Sequence, residues 1–475
     1  MTRAVLHRRG SLSFLSGLRE PERDALVKRY SYFVEGAEFS PLFRDKKWDG
    51  YRRLVRPRGD TSVLLPAGLE PEIVTWLRTK RLYDVDLVSE LPTWPPAARW
   101  GWAGPRLRVY QNDAVTHVLE AGGGIIRLPI RAGKTLTAAE LIRQVGRRAL
   151  FVVTSEMLLR QAYEVFSRVL VGPTIGICGA GERVDGDVVV ATVQTLTAMS
   201  KEDLKAFQRS YALVIADECH HASSDGGGTA WRDVLLGMVA DMRVGLSATV
   251  PDLVAGQPAE SHWIWLRAIC GGVVTSLTVD DLVEQGFLLR PHISWLHYDG
   301  DGMKVEDARQ LPTTLAGWKA RNEAIVACTA ERAAAGQRVL VDCSRVGHSR
   351  QFVSLLKADL GAKKVGLLLG ASPTTVRKAV LDAFVEGQLR VIVGTVLGEG
   401  LDIPPLEVVI NAEGGCGDIP LMQRMRCLTL CKGKTKADMV DVWDNGCPEA
   451  LGWSQDRLNF YRRHPSFVVE APEEP

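Results

Sequence analysis

From residue 107 onward, short apolar runs alternate with stretches of amphipathic, helix-like spacing. The runs at 124–130, 149–154, 187–192, 212–216 and 243–247 are apolar almost throughout, as strands covered on both faces must be. Strands alternating with helices predict a parallel α/β sheet joined by crossovers. The rhythm restarts after about residue 290, with runs at 338–342, 364–369, 390–394, 408–411 and 437–442. Between the halves there is no sequence repeat, only a repeat of architecture. Residues 351–360 read as an amphipathic helix over the second sheet, and 454–463 as a short C-terminal helix before a Pro/Glu tail. The first 95 residues mix short helical and strand-like pieces and end in a Pro-rich stretch, 91–96, that reads as a linker.

Composition narrows the class. Of 475 residues, 46% are hydrophobic and 24% charged, which excludes disordered and fibrous chains. No apolar run approaches the roughly 18 residues a membrane-spanning helix needs. The segment 11–18, with three serines, is too short and polar for a secretory core, so a cytoplasmic address is expected. Nine scattered cysteines form no C-x-x-C pair. Cys416, Cys427, Cys431 and Cys447 are irregularly spaced, which favours buried thiols over zinc ligands.

Net charge is only +2, but residues 1–108 hold 20 Lys and Arg against 13 Asp and Glu, or +7. Arg44, Lys46, Lys47, Arg52, Arg53, Arg56 and Arg58 interleave with Trp48 and Tyr51. Cations beside aromatic rings suit a polyanion with stackable bases.

At the end of the first strand stands Leu128-Pro129-Ile130-Arg131-Ala132-Gly133-Lys134-Thr135, followed by a helical stretch. A strand, a loop and Gly-Lys-Thr at a helix start form a phosphate cradle. Backbone N–H groups face the phosphates, Lys134 reaches their outer oxygens and the Thr135 hydroxyl reaches Mg²⁺. Leu128 stands where the strict pattern has glycine. Further on, the apolar run 212–216 leads into Asp217-Glu218-Cys219-His220-His221. There Asp217 would hold Mg²⁺ and Glu218 would orient and deprotonate a water.

Asp217-Glu218-Cys219-His220 resembles the DExH box of superfamily-2 helicases, and the rest of that family's series follows in order. Leu107-Arg108-Val109-Tyr110-Gln111 is similar to the adenine-reading segment, 154–161 to motif Ia, and Ala191-Thr192-Val193-Gln194-Thr195-Leu196 to motif Ib. Gly245-Leu246-Ser247-Ala248-Thr249 matches the Ser-Ala-Thr motif. Residues 281–288 resemble the lead into the second motor domain, 339–345 motif IV, and Val393-Gly394-Thr395 through Glu399-Gly400-Leu401-Asp402-Ile403-Pro404 motif V. The resemblance covers residues 105–450, and its nearest branch is the UvsW/XPB-like one. Lys47-Trp48-Asp49-Gly50 and Leu65-Pro66-Ala67-Gly68-Leu69 look like that branch's small basic N-terminal domain.

The resemblance implies two tandem RecA-like parallel-sheet motor domains after a small basic α+β domain: 1–95 accessory, 96–285 first motor domain, 286–450 second, 451–475 C-terminal helix and tail. It implies ATP and Mg²⁺ as cofactors, bound by Tyr110, Gln111, Arg131, Ala132, Gly133, Lys134, Thr135, Gly400 and Asp402, with Thr135 and Asp217 on the metal. Lys134, Asp217, Glu218 and Arg426 would carry hydrolysis, and His220, Ser247, Thr249 and Gln423 would couple it to movement. Lys47, Trp48, Arg52, Arg53, Thr195, Ser344 and Thr395 would hold nucleic acid. DNA is favoured over RNA through the family likeness alone, and recombination or defence proteins are the partners it suggests.

Two departures stand out. Arg131 replaces a small residue of the loop, where glycine normally relieves backbone strain. The family's Gln-x-x-Gly-Arg-x-x-Arg becomes Gln423-Arg424-Met425-Arg426-Cys427-Leu428-Thr429-Leu430. With one residue deleted at the glycine, Arg426 takes the first arginine position. Without the deletion both arginines are lost. In either case Arg424 and Arg426 are expected on one helix. Two alternatives stay open at this point: an ATP- and DNA-binding protein with a weakened motor, and the motor subunit of a restriction or defence complex.

Overall fold

The computed structural model describes all residues except 1, 35, 80–82, 224–227, 249, 251–260, 301–302, 306–307, 396–402 and 473–475. The chain forms two compact units, Met1–Leu128 with Gly133–Ser276, and Pro129–Ala132 with Leu277–Pro475.

In the first unit an eight-stranded sheet runs in the order Glu182–Val184, Ile175–Gly179, Val188–Thr192, Ala149–Val153, Leu213–Asp217, Met242–Ser247, Gly124–Arg127, Val273–Ser276. All neighbours are parallel except Glu182–Val184, which turns back on Ile175–Gly179. The five apolar runs are its centre, and Ile125, Leu150, Val152, Val189 and Ala216 are buried in its core. The first strand is shorter than the run 124–130. It stops at Arg127: the Leu128 N–H still reaches the Ser247 carbonyl of the neighbouring strand (3.0 Å), but Pro129 has no N–H to continue the ladder.

Ahead of this sheet lies a five-stranded one, ordered Arg56–Pro57, Val63–Pro66, Leu12–Ser16, Thr2–Arg8, Tyr83–Ser89, with helices Glu20–Arg29 and Glu70–Thr79. Its core (Leu6, Leu15, Leu26, Leu65, Ile73, Leu77) continues into Ile264 and Ala268 of helix Ser261–Cys270. A Cβ on Gly68 would lie 2.5 Å from the carbonyl oxygens of Arg267 and Ala268, so only glycine permits this approach. The stretch after 91–96 is bonded to the larger sheet's side of the unit. The Ala98 N–H reaches the Gly146 carbonyl (2.7 Å), and Gly101–Trp102 pairs antiparallel with Leu170–Val171.

In the second unit the sheet is parallel throughout, ordered Val365–Leu368, Val391–Gly394, Val339–Asp342, Val408–Asn411, Ala437–Val442, Pro291–Leu296, Val468–Val469. Helix Val346–Leu360 begins before the amphipathic stretch 351–360. The C-terminal helix is Pro448–Arg462, longer than the expected 454–463, with Pro448 in its first turn. Arg457 anchors it. With no solvent exposure, its guanidinium lies 3.1 Å from Asp441 and 3.3 Å from Asp444 and donates to the Gly414 carbonyl at 2.6 Å. Arg321, also fully buried, meets Asp444 at 2.7 Å. This helix therefore belongs to the second unit's interior, and Val468–Val469 after it extends the sheet.

Candidate nucleotide and nucleic-acid sites

Helix Lys134–Val145 starts directly after Gly133, which is left-handed (φ +76) and offers no side-chain cap. A helix start arranged this way suits an anion. A Cβ at position 133 would meet Gln111 Nε2 at 2.5 Å, so glycine lets the two segments close up. Gln111 is itself fixed: its Oε1 accepts the Arg108 N–H at 2.9 Å at the start of helix Val109–Ala121. Tyr110 is buried and its hydroxyl accepts from Arg108 at 3.1 Å; burial raises its pKa above the usual phenol value. Ala132 is buried and Thr135 half-buried. Arg131 has φ +66, a left-handed conformation that costs a non-glycine residue roughly 1–2 kcal/mol. The departure at this position is thus a strained one.

Strand Leu213–Asp217 delivers the acidic pair. Glu218 is also left-handed (φ +47), and its N–H bonds to Asp217 Oδ1 at 3.1 Å. Glu218 Oε1 lies 3.1 Å from Lys134 Nζ, both side chains being almost enclosed, and Glu218 Oε2 lies 3.5 Å from His220 Nδ1. The same His220 nitrogen is 2.9 Å from Ser247 Oγ, at the end of Met242–Ser247. Lysine, glutamate, histidine and serine thus form one continuous chain across three strand ends. His221, for which the sequence suggests no role, stacks between His220 (4.5 Å) and Trp231 (6.2 Å) and braces the chain's histidine.

The donors near this chain fit Mg²⁺: one carboxylate, Asp217, and one hydroxyl, Thr135, leave the remaining octahedral positions to phosphate oxygens and water. Among the described residues no group of three or more His, Cys, Asp or Glu is placed to hold a metal by itself. Of the four clustered cysteines only Cys427 is buried; Cys416 is exposed, and Cys431 and Cys447 are half-buried. Their expected burial is corrected here, since three of them lie in or beside surface turns. Thr249, Gly400 and Asp402 lie outside the described residues.

Thr195, Ser344 and Thr395 each follow the C-terminal end of a parallel strand. The Thr195 N–H bonds to Thr192 Oγ1 at 3.4 Å in helix Val193–Thr197, and Gln194 Nε2 donates to the Thr154 carbonyl at 2.8 Å, tying two motif segments together. Ser344 is exposed, and Thr395 is half-buried with its N–H on the Leu368 carbonyl (3.1 Å).

Within the basic–aromatic run, Arg44 ends helix Pro41–Arg44, Tyr51–Arg53 pairs antiparallel with Ser31–Phe33, and Arg56 lies in the edge strand Arg56–Pro57. Trp48 Nε1 donates to the Tyr51 carbonyl at 2.8 Å. Arg53 pairs with Asp49 and holds that carboxyl down to about 2. Lys47 meets Asp45 at 3.2 Å, and Arg52 is exposed. Beside these lie Phe39 (71% exposed) and Leu42 (55% exposed), which the charge pattern does not single out. Their hydropathy and proximity to the basic run were the available signal.

In the second unit, Gln423 is half-buried on helix Asp418–Arg424. That helix ends at Arg424, Met425 breaks it (ψ +47), and Arg426 opens a separate 3₁₀ turn, Arg426–Leu428. The expectation of one helix carrying both arginines is corrected. The turn is held from below by Lys434, whose ammonium donates to the carbonyls of Cys427 (2.5 Å) and Thr429 (2.9 Å). Arg426 is 3% exposed. Arg424 is equally enclosed, with its Nε 2.9 Å from Asp342 and its Nη2 on Glu413.

Parallel sheets with a helix start open to an anion and an acidic pair at the strand ends are the arrangement of a class, the RecA-like nucleotide hydrolases. Residues 105–252 match the family model "Type III restriction enzyme, res subunit", and residues 320–426 match "Helicase conserved C-terminal domain". The chain is 24% identical over 449 residues to the ATP-dependent DNA helicase uvsW of Enterobacteria phage T4, covering 88% of this chain and 86% of that protein. It is 27% identical over 388 residues to the DNA 3'-5' helicase XPB of Kineococcus radiotolerans, covering 77% of this chain and 62% of that one. In fold it is similar to S. cerevisiae Dbp5 bound to RNA and ADP BeF3, with a TM-score of 0.54 at 15% identity over 76% of this chain and 88% of that one. The chain belongs to the superfamily-2 helicases, on the UvsW/XPB-like branch.

Proposed function

We propose that the protein is an ATP-dependent helicase or translocase that acts on branched or duplex DNA in recombination, repair or replication, in the cytoplasm. The observation that carries this reading is the chain Lys134–Glu218–His220–Ser247. In it the phosphate-loop lysine rests on the carboxylate that would activate water. A nucleotide phosphate competes for that lysine, and Glu218, once released, turns to the attacking water as general base. His220 then passes the change to Ser247 and the segment behind it. Mg²⁺ held by Asp217 and Thr135 would neutralise charge developing on the phosphates. Gln111 reads the base, and Arg426 stabilises the γ-phosphate in the transition state.

Thr195, Ser344 and Thr395 grip phosphates of one strand, so binding is independent of sequence. Lys47, Trp48, Arg52 and Arg53, in the basic segment 1–95, supply affinity for duplex or branched structure. Residues 96–285 and 286–450 act as the two motor domains, and 451–475 closes the second. Recombination or defence proteins are the proposed partners.

The test is ATP hydrolysis with and without single-stranded, duplex and forked DNA, together with strand displacement on the fork. Stimulation by DNA and displacement support the reading; a chain that hydrolyses ATP at one rate on all of them overturns it. A second reading, a binding protein with a weakened motor, is favoured by the strained Arg131 and the helix break at Met425. Tight ATP and DNA binding without turnover would select it.

A further inference from the structure

We propose that Asp342 is a positioning residue for turnover: with Glu413 it locks the Arg424 guanidinium, and through Arg424 it sets the orientation of the turn that carries Arg426. The inference rests on the reading of the chain as an ATP hydrolase.

Asp342 is the last residue of strand Val339–Asp342 and is 3% exposed. In register it lies beside Gly394 and Asn411, so its carboxyl sits at the carboxyl end of the sheet's centre. Arg424 is the last residue of helix Asp418–Arg424. Two carboxylates from two strand ends flank its planar head, Asp342 on Nε and Glu413 on Nη2. A guanidinium held at two nitrogens has its plane and its rotation fixed, which a lysine ammonium cannot reproduce. The third nitrogen, Nη1, is buried without a hydrogen-bond partner among the described residues, so the hydrogen bonds that orient the head are those to the two carboxylates.

The lock sits one residue before Met425, where the helix breaks. Whatever fixes Arg424 fixes the exit direction of the turn Arg426–Leu428, with Lys434 holding the far end through the carbonyls of Cys427 and Thr429. A buried ion pair contributes little net stability compared with an apolar pair of the same shape. Its distinctive consequence is geometric, and the geometry it controls is that of Arg426.

The groups facing Asp342 are Arg424, Arg426 and Glu413; Arg424 in turn faces Asp441 and Tyr461. Burial pushes the Asp342 carboxyl up to about 6, Arg424 and Arg426 pull it down, and Glu413 adds to the rise. Next along the chain, burial and the Asp342 charge push the Cys343 thiol up to about 12. The lock is therefore charged at neutral pH and opens when acidification places a proton on Asp342.

The experiment is DNA-stimulated ATP hydrolysis by the full chain from about pH 5 to 8, comparing wild type with Asp342→Asn, Asp342→Glu and Glu413→Gln, each checked by thermal melting. Asp342→Asn should lower kcat about tenfold or more with KM for ATP nearly unchanged, the mark of an interaction that matters in the transition state. The acid limb of the wild-type profile near pH 6 should be absent from Asp342→Asn, and Asp342→Glu should recover most of the lost kcat. A wild-type kcat in Asp342→Asn, or a loss seen equally in KM, or an unchanged acid limb, overturns the proposal. Should Asp342→Asn not fold, the half-exposed partner decides: reduced kcat at constant KM in Glu413→Gln upholds the lock, and wild-type turnover overturns it. A wild-type protein that hydrolyses no ATP would instead sink the hydrolase reading itself, a result distinct from any of these.

Discussion

Two ionic clusters of the molecule serve opposite ends. In the first, Lys134 and Glu218 meet at 3.1 Å on segments leaving strand ends, with left-handed backbone at Glu218. In the second, Arg321, Arg457, Asp441 and Asp444 are fully buried in the interior and bonded to one another. The first pair is held by a loop, and on the proposed reading an incoming phosphate separates it. The second set has nowhere to go, because removing any member strands a charge in a dry core. Charge on a loop beyond a strand is available for chemistry, whereas charge sealed beneath a helix serves the fold.

Substitutions test that contrast. The largest effect is expected at Arg426: Arg426→Ala should lower turnover by at least about 10³-fold with ATP affinity nearly intact, as for loss of an arginine finger. Normal turnover in that variant would move the finger elsewhere. Lys134→Ala should lower turnover by about 10²–10³-fold and leave the melting temperature unchanged, because the side chain is a charge at a phosphate and not part of a core. A large drop in melting temperature would place Lys134 with the second, structural kind of charge.

Arg457→Met should do the reverse, costing about 3–5 kcal/mol in denaturant unfolding, since Asp441 and Asp444 lose a partner that water cannot replace. Unchanged unfolding would erase the distinction between the two clusters. Arg52→Ala should flatten the salt dependence of duplex binding by about 0.9 in log–log slope if its charge meets one phosphate. A slope equal to wild type would make it solvated surface. The smallest effect concerns strain: Arg131→Gly should raise stability by about 1 kcal/mol, since glycine adopts the left-handed loop without a Cβ clash. Lower stability would show that the arginine's contacts outweigh the strain.

Much of this was legible in the chain. The strands at 149–154, 187–192 and 212–216 could be read because a strand covered on both faces has no polar position to hide, and helices between them require parallel pairing. Lys134, Asp217 and Glu218 could be read because Asp217 and Glu218 stand at the end of such a strand and Lys134 opens the helix that follows another. That His220 works with Ser247 was implied by the family resemblance, and their contact at 2.9 Å is what the structure adds. Other features were not readable. The spacing of 1–95 gives no sign that its core continues into Ile264 and Ala268, residues far along the chain. Nothing local marks Met425 as a helix break, since methionine is a good helix former. The break depends on Lys434 collecting two carbonyls from the turn beyond it.

By itself the sequence determined ten of the strands, that they form parallel sheets in two α/β units, and which motif side chains follow their ends. Those properties follow from periodicity and from bonds between near neighbours, and both are written locally. Tertiary structure alone decided that helix Pro448–Arg462 is sewn into the second unit, that Arg424 is bound to Asp342 and Glu413 while Arg426 heads its own turn, and that the basic segment shares a core with the motor. Each of these rests on the pairing of residues distant in sequence. A buried guanidinium looks the same in the sequence as an exposed one until the carboxylate that holds it has been brought into place.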